Sequence, residues 1–188
     1  MAAEETVVGE AAPPPLSRRR ERCLVRAAQE GSAVAVADLY SAHWPRAHRA
    51  AYLVVQDAAA AEDVAQDAFL AAVDALDRFD RRRPFAPWLH RIVVNRALDW
   101  ARREALRRRL APEGPEPEAE PRGPELGEEL MAALRQLPPD QRAVVALRHL
   151  LEYTPGEIAT MLDLPRGTVN SRLRRALDSL RTTIEVAR

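Results

Sequence analysis

The chain has 188 residues with 28 acids and 28 basic residues, all of them Arg, so it is formally neutral. Of its 47% hydrophobic residues 35 are Ala, which leaves few large side chains and predicts a thin, helical core in one domain or two small ones. The longest run without Asp, Glu or Arg is seven residues, which excludes a membrane span. Seven Gly and three each of Phe, Tyr and Trp argue against a sandwich or barrel. The acidic N-terminus without an apolar run is not read as a secretory signal, and the single Cys23 excludes an internal disulfide or a zinc-finger cluster. The expected compartment is the cytoplasm.

Neutrality hides segregation. Residues 1–15 carry −3, residues 16–110 +6, residues 111–130 −6 and residues 131–188 +3. Within these, residues 81–110 hold ten Arg against two acids, and residues 164–188 hold six against two. Two basic segments separated by an acidic connector steer a protein to nucleic acid in a way the average charge does not.

In chain order, residues 1–17 end in Pro13-Pro14-Pro15 and read as a disordered tail. From Leu24 to Tyr40 apolar residues recur at helical spacing. A break is expected near His43–Pro45, then a second helix through Tyr52, Val54 and Val55. From Ala61 the pattern sharpens. Ala61, Ala65, Ala68, Phe69, Ala72 and Leu76 share one side, and Asp63, Gln66, Asp67, Leu70 and Asp74 share the other. Leu70 is an apolar side chain on an acidic face. It is either an ordinary exposed Leu or part of a docking surface for a basic partner. Asp80 to Pro84, with Arg81, Arg82 and Arg83, reads as a charged turn.

A long helix is expected from about Phe85 to Arg109, with Trp88, Leu89, Ile92, Val93, Ala97 and Trp100 on its packing side. Arg91, Asn95, Asp99 and Arg102 share the other side. Asn among arginines suits base reading with phosphate contact, against the plainer reading of a solvated Arg-rich face. Residues 111–125, with five Pro and five Glu, form an extended or disordered linker between ordered blocks at 18–110 and 126–188.

The second block opens with a helix from about Gly127 to Leu137, stopped by Pro138-Pro139, and a second from about Asp140 to Leu151. Thr154, Pro155 and Glu157 then form a capping box with Pro at the first helical position. Ile158, Ala159 and Leu162 face inward, and Asp163-Leu164-Pro165 is a tight turn. The next helix has an inner stripe of Val169, Leu173, Ala176 and Leu180 and an outer face of Thr168, Asn170, Ser171, Arg174 and Arg175. This is a helix–turn–helix whose second helix suits a major groove. The four His are expected at the surface or half buried. His43 and His48 are spaced wrongly for one helix face, and no metal set is completed.

Taken together, these motifs resemble the bacterial ECF (extracytoplasmic-function) RNA polymerase sigma factors, the smallest class of the sigma-70 family. The residues that carry the resemblance are Ala60 to Phe69, Phe85 to Ile92 and Asn95 to Asp99 in the first block. In the second they are Leu137 to Arg142 and Gly167 to Leu173. The resemblance implies an all-α fold of two small domains and no cofactor, metal or catalytic residue. It places Asp63, Gln66, Asp67 and Leu70 on the clamp helices of the largest core polymerase subunit. It places Arg81, Arg82 and Arg83 in the loop that captures a flipped base of the −10 strand, and Asn95, Asp99, Arg102 and Arg103 along the helix that holds that element. Thr168, Asn170, Ser171, Arg172, Arg174 and Arg175 fall in the helix that reads the −35 element. An anti-sigma factor that clamps both domains is a further partner it implies.

Melting a promoter costs a few kcal/mol per flipped base, recovered by holding the open strand in a basic groove. Elements about 17 base pairs apart, as the resemblance implies, lie ~58 Å apart, and the linker spans at most ~50 Å, so linker and domain bodies together bridge them. Three features depart from the family pattern. Asp163 stands where Gly is common, and Asp tolerates the left-handed conformation better than most residues. Asn170 stands where Lys or Arg is common and favours adenine. The triple Arg81-Arg82-Arg83 is unusually basic. Two other readings are a stand-alone helix–turn–helix regulator, which lacks a visible dimer face and sensor, and a metal-dependent nuclease using Glu62, Asp63 and Asp67, which lacks a completing His or Lys. A helical adaptor is a third.

Overall fold

A computed structural model describes residues 16–110 and 127–186; the proposed linker and nearly all of the proposed tail lie outside the described residues. The described residues form helices only. These are α1 (Arg18–Gln29), α2 (Ala33–Val55), α3 (Ala58–Asp74), a short 3-10 turn (Leu76–Arg78) and α4 (Phe85–Leu110), followed by α5 (Glu128–Gln136), α6 (Pro139–Val145), α7 (Pro155–Leu162) and α8 (Arg166–Val186).

The first two helices divide differently from the sequence expectation. The break falls at Glu30–Ser32, and α2 runs unbroken through Pro45. Gly31 takes a left-handed φ of 91°, which a residue without Cβ adopts at little cost. Ser32 then accepts a hydrogen bond from the Ala35 N–H and caps α2. Pro45 removes one helical hydrogen bond, a cost of ~3 kcal/mol in an isolated helix. Burial of Leu39, His43, Ala47, Ala50 and Ala51 on both sides of it carries the helix through.

The alanine content now has a structural use. Ala47, Ala50 and Ala51 of α2, Ala61, Ala65 and Ala68 of α3 and Ala97 of α4 are fully buried. Short side chains let the three helices, each in contact with the other two, approach closely. All six residues expected on the inner side of α3 and its extension are buried.

Helix α4 is buried on two sides. Leu89, Val93 and Ala97 form the expected stripe, and His90, Val94, Leu98 and Ala101 form a second. The second arises because α4 also contacts α6 and α7. His90 Nδ1 lies 2.7 Å from the Tyr153 hydroxyl, and burial pushes its pKa from 6.5 down to about 3. His43, also buried, sits 3.2 Å from Glu21. The expectation of surface or half-buried histidines therefore fails for these two, each of which finds a polar partner in the core.

The His90 shift fixes a sign. An imidazole depressed in the fold favours folding fully above its unfolded pKa and loses that contribution as pH falls from about 6.5 towards about 3. Thermal melts at stepped pH should show stability declining through that window, with His90→Gln flattening this part of the curve.

In the second block, Arg142 is buried and cationic. Its Nε and Nη2 donate to the Val54 carbonyl at 2.9 and 2.7 Å, and Nη1 donates to the Leu137 carbonyl at 2.6 Å. The helix expected through Leu151 ends instead in a π turn over Ala146–Leu150. Helix α7 has the expected capping box between Thr154 and Glu157. Ile158 and Met161 are its buried residues, with Leu162 half buried. Asp163 adopts the left-handed conformation, φ 53°, that directs the chain into α8. There Val169, Leu173, Ala176 and Leu180 are buried as expected.

Candidate nucleic-acid and polymerase interface

On α3, Asp57 caps the first turn by accepting from the Ala60 N–H at 2.8 Å. The helix then presents Asp63, Gln66 and Asp67 to solvent, with Leu70 64% exposed beside them. No basic residue interrupts this face. An apolar groove of about 480 Å³ opens next to it, where Val36 and Tyr40 of α2 meet Phe69, Leu70 and Val73 of α3. Leu70 is thus the rim of a groove rather than an isolated apolar residue. The α2 side of that groove was not singled out from sequence, because period alone does not show which inward residues stay uncovered.

The turn before α4 is built by Asp80. Its carboxylate accepts from the Arg82 N–H at 3.0 Å and its carbonyl from the Arg83 N–H at 2.9 Å. This Asx turn leaves Arg81, Arg82 and Arg83 exposed. Phe79, Phe85 and Trp88 pack ring against ring beneath it, fixing its two ends.

Along α4, Asp99, Arg102 and Arg103 are exposed and Asn95 is half buried. Arg103 donates to the Asp99 carbonyl. Arg102 lies between two carboxylates, Asp99 at 3.4 Å and Asp140 at 3.3 Å. On α8, Asn170, Arg174 and Arg175 are exposed and Thr168 half buried. Ser171 Oγ donates to the Thr168 carbonyl at 3.0 Å, and Arg172 turns onto Asp140 at 3.1 Å. Those two side chains are engaged within the fold, so Asn170, Arg174 and Arg175 are the readiest for an external contact. No group of three or more His, Cys, Asp or Glu able to hold a metal occurs among the described residues.

Among the described residues, an all-helical fold with an exposed acidic face, an arginine turn and a separate helix–turn–helix has the features of a nucleic-acid-binding protein with two basic surfaces. Residues 39–107 match Sigma-70 region 2, and residues 127–180 match Sigma-70, region 4. The chain is 34% identical to the ECF RNA polymerase sigma factor SigM of Mycobacterium tuberculosis over 159 residues, covering 84% of this chain and 81% of that one. It is 27% identical to the ECF sigma factor SigW of Bacillus subtilis over 173 residues, covering 84% and 92%. A solved structure of CnrH in complex with the cytosolic domain of CnrY aligns with a TM-score of 0.65 at 28% identity, over 89% of this chain and 98% of that one. The chain belongs to the ECF sigma factors of the sigma-70 family and is an RNA polymerase sigma factor. Both regions in order do not favour a stand-alone regulator.

Proposed function

We propose that the two basic surfaces divide promoter recognition between them and that the acidic surface joins the polymerase. In this reading residues 18–110 form the core-binding and −10 domain, residues 126–188 the −35 domain, and residues 111–125 the connector. Asp63, Gln66, Asp67 and Leu70 dock on the clamp helices of the largest core subunit. Arg81, Arg82 and Arg83 draw in the −10 strand, and Asn95, Asp99, Arg102 and Arg103 hold it. Thr168, Asn170, Ser171, Arg172, Arg174 and Arg175 serve the −35 element, with Arg172 and Ser171 released from their internal partners or acting by positioning the helix.

The observation that carries this reading is the placement of charge on separate elements. Acids with one exposed Leu lie on α3, and arginines lie on the turn, on α4 and on α8. The chain contributes no catalytic group; the polymerase performs the chemistry. An anti-sigma factor is a fitting partner, since the aligned CnrH structure is a complex with a cytosolic protein domain. The work is placed in the cytoplasm, where core polymerase and promoter DNA meet; no described helix is long and apolar enough to cross a membrane.

The −35 assignment is tested on α8. Arg174→Ala or Arg175→Ala should cost ~1–3 kcal/mol of binding for each arginine that makes a bidentate base contact. The penalty should be largest on the preferred −35 sequence. An unchanged ranking among −35 variants removes that assignment.

A further inference from the structure

The first helix lies before the matched region 2, which begins at residue 39. Its sequence, Arg18-Arg19-Arg20-Glu21-Arg22, puts four arginines in little more than one turn at a helix N-terminus. Positive charge there opposes the helix dipole and costs stability. The one acid does not offset them at the surface. Glu21 is buried and faces inward, 3.2 Å from His43 and 3.3 Å from the Phe85 N–H. Its carboxyl, which burial pushes up, is held below the usual carboxylate value by His43 and the α4 backbone. Arg18, Arg19, Arg20 and Arg22 are all exposed, and none pairs with an acid among the described residues.

The Glu21 contact also places this helix. It ties the first turn of α1 to the first residue of α4, directly after the arginine turn. Gln29 ties the other end by donating to the carbonyls of Leu76 and Phe79 at 2.8 and 3.0 Å. The α1 helix therefore runs beside the two ends of the segment that carries Arg81, Arg82 and Arg83, with its first turn at the start of α4. We propose that the exposed arginine face of α1 is a DNA-phosphate binding surface, continuous with the arginine turn, that holds promoter backbone beside the −10 element. It contacts phosphate without reading sequence, because guanidinium groups clustered at a helix end offer charge and no fixed base geometry. The proposal rests on the sigma-factor reading.

The test is Arg19→Ala/Arg20→Ala/Arg22→Ala in holoenzyme, on a promoter fragment that wild-type holoenzyme transcribes. The slope of log binding constant against log salt should fall by about 2 to 3, since each phosphate contact contributes ~0.7–0.9. The loss should be equal across promoter variants, with core binding unchanged and the melting temperature not lowered. An unchanged slope, a promoter-selective loss or a lowered melting temperature overturns the proposal. A wild-type holoenzyme that yields no transcript contradicts the sigma reading instead.

Discussion

Asp63→Arg combined with Asp67→Arg should abolish assembly with core polymerase while leaving the protein folded. Both carboxylates are exposed one turn apart on α3, and neither makes an ion pair or a side-chain hydrogen bond among the described residues. Their reversal therefore removes no internal contact. Against a basic partner it turns two attractions into two repulsions, each ~1 kcal/mol in bulk water and ~4 kcal/mol in a partly desolvated interface at 4 Å. The expected loss in affinity is on the order of a thousandfold or more. It should be read by fluorescence anisotropy with purified core enzyme, alongside circular dichroism to confirm helix content. Retained binding would remove the docking assignment.

The second large effect separates stability from docking with two leucines. Leu89 is fully buried in α4, a helix that packs against α2 and α3. Leu89→Ala leaves a cavity in a core already built from small side chains, and it should cost ~2–5 kcal/mol. In a protein of this size that is a fall in melting temperature on the order of 10 °C. Leu70 is 64% exposed, and Leu70→Ala should shift stability by no more than about 0.5 kcal/mol. It should nevertheless weaken core binding, because the apolar rim of the groove is lost. Thermal melts and core-binding titrations on both variants check the contrast. Equal stability losses would mean that Leu70 is a packing residue.

Much of this fold was legible because period and capping are local. The inner side of α3, the Thr154 and Glu157 capping box and the left-handed Asp163 each follow from residues within one or two turns. The misplaced break shows how local signals compete. Pro45 is a stronger helix breaker by propensity than Gly31, yet burial on both sides of Pro45 overrides it. The second buried stripe of α4, the His90–Tyr153 contact and the seat of Arg142 on Val54 join residues 63 and 88 positions apart. Nothing in the spacing of a single helix announces such a pairing. The candidate site was legible as residue types on helix faces. That Arg172 and Ser171 are held by internal partners could be seen only once Asp140 and the Thr168 carbonyl were placed beside them.

The most direct test of the central claim is run-off transcription with bacterial core RNA polymerase on pooled genomic promoter fragments, with and without the protein. The account predicts new discrete start sites that appear only with the protein, each preceded by shared −10 and −35 sequences. No new start sites, together with duplex DNA binding by the protein alone, would contradict it.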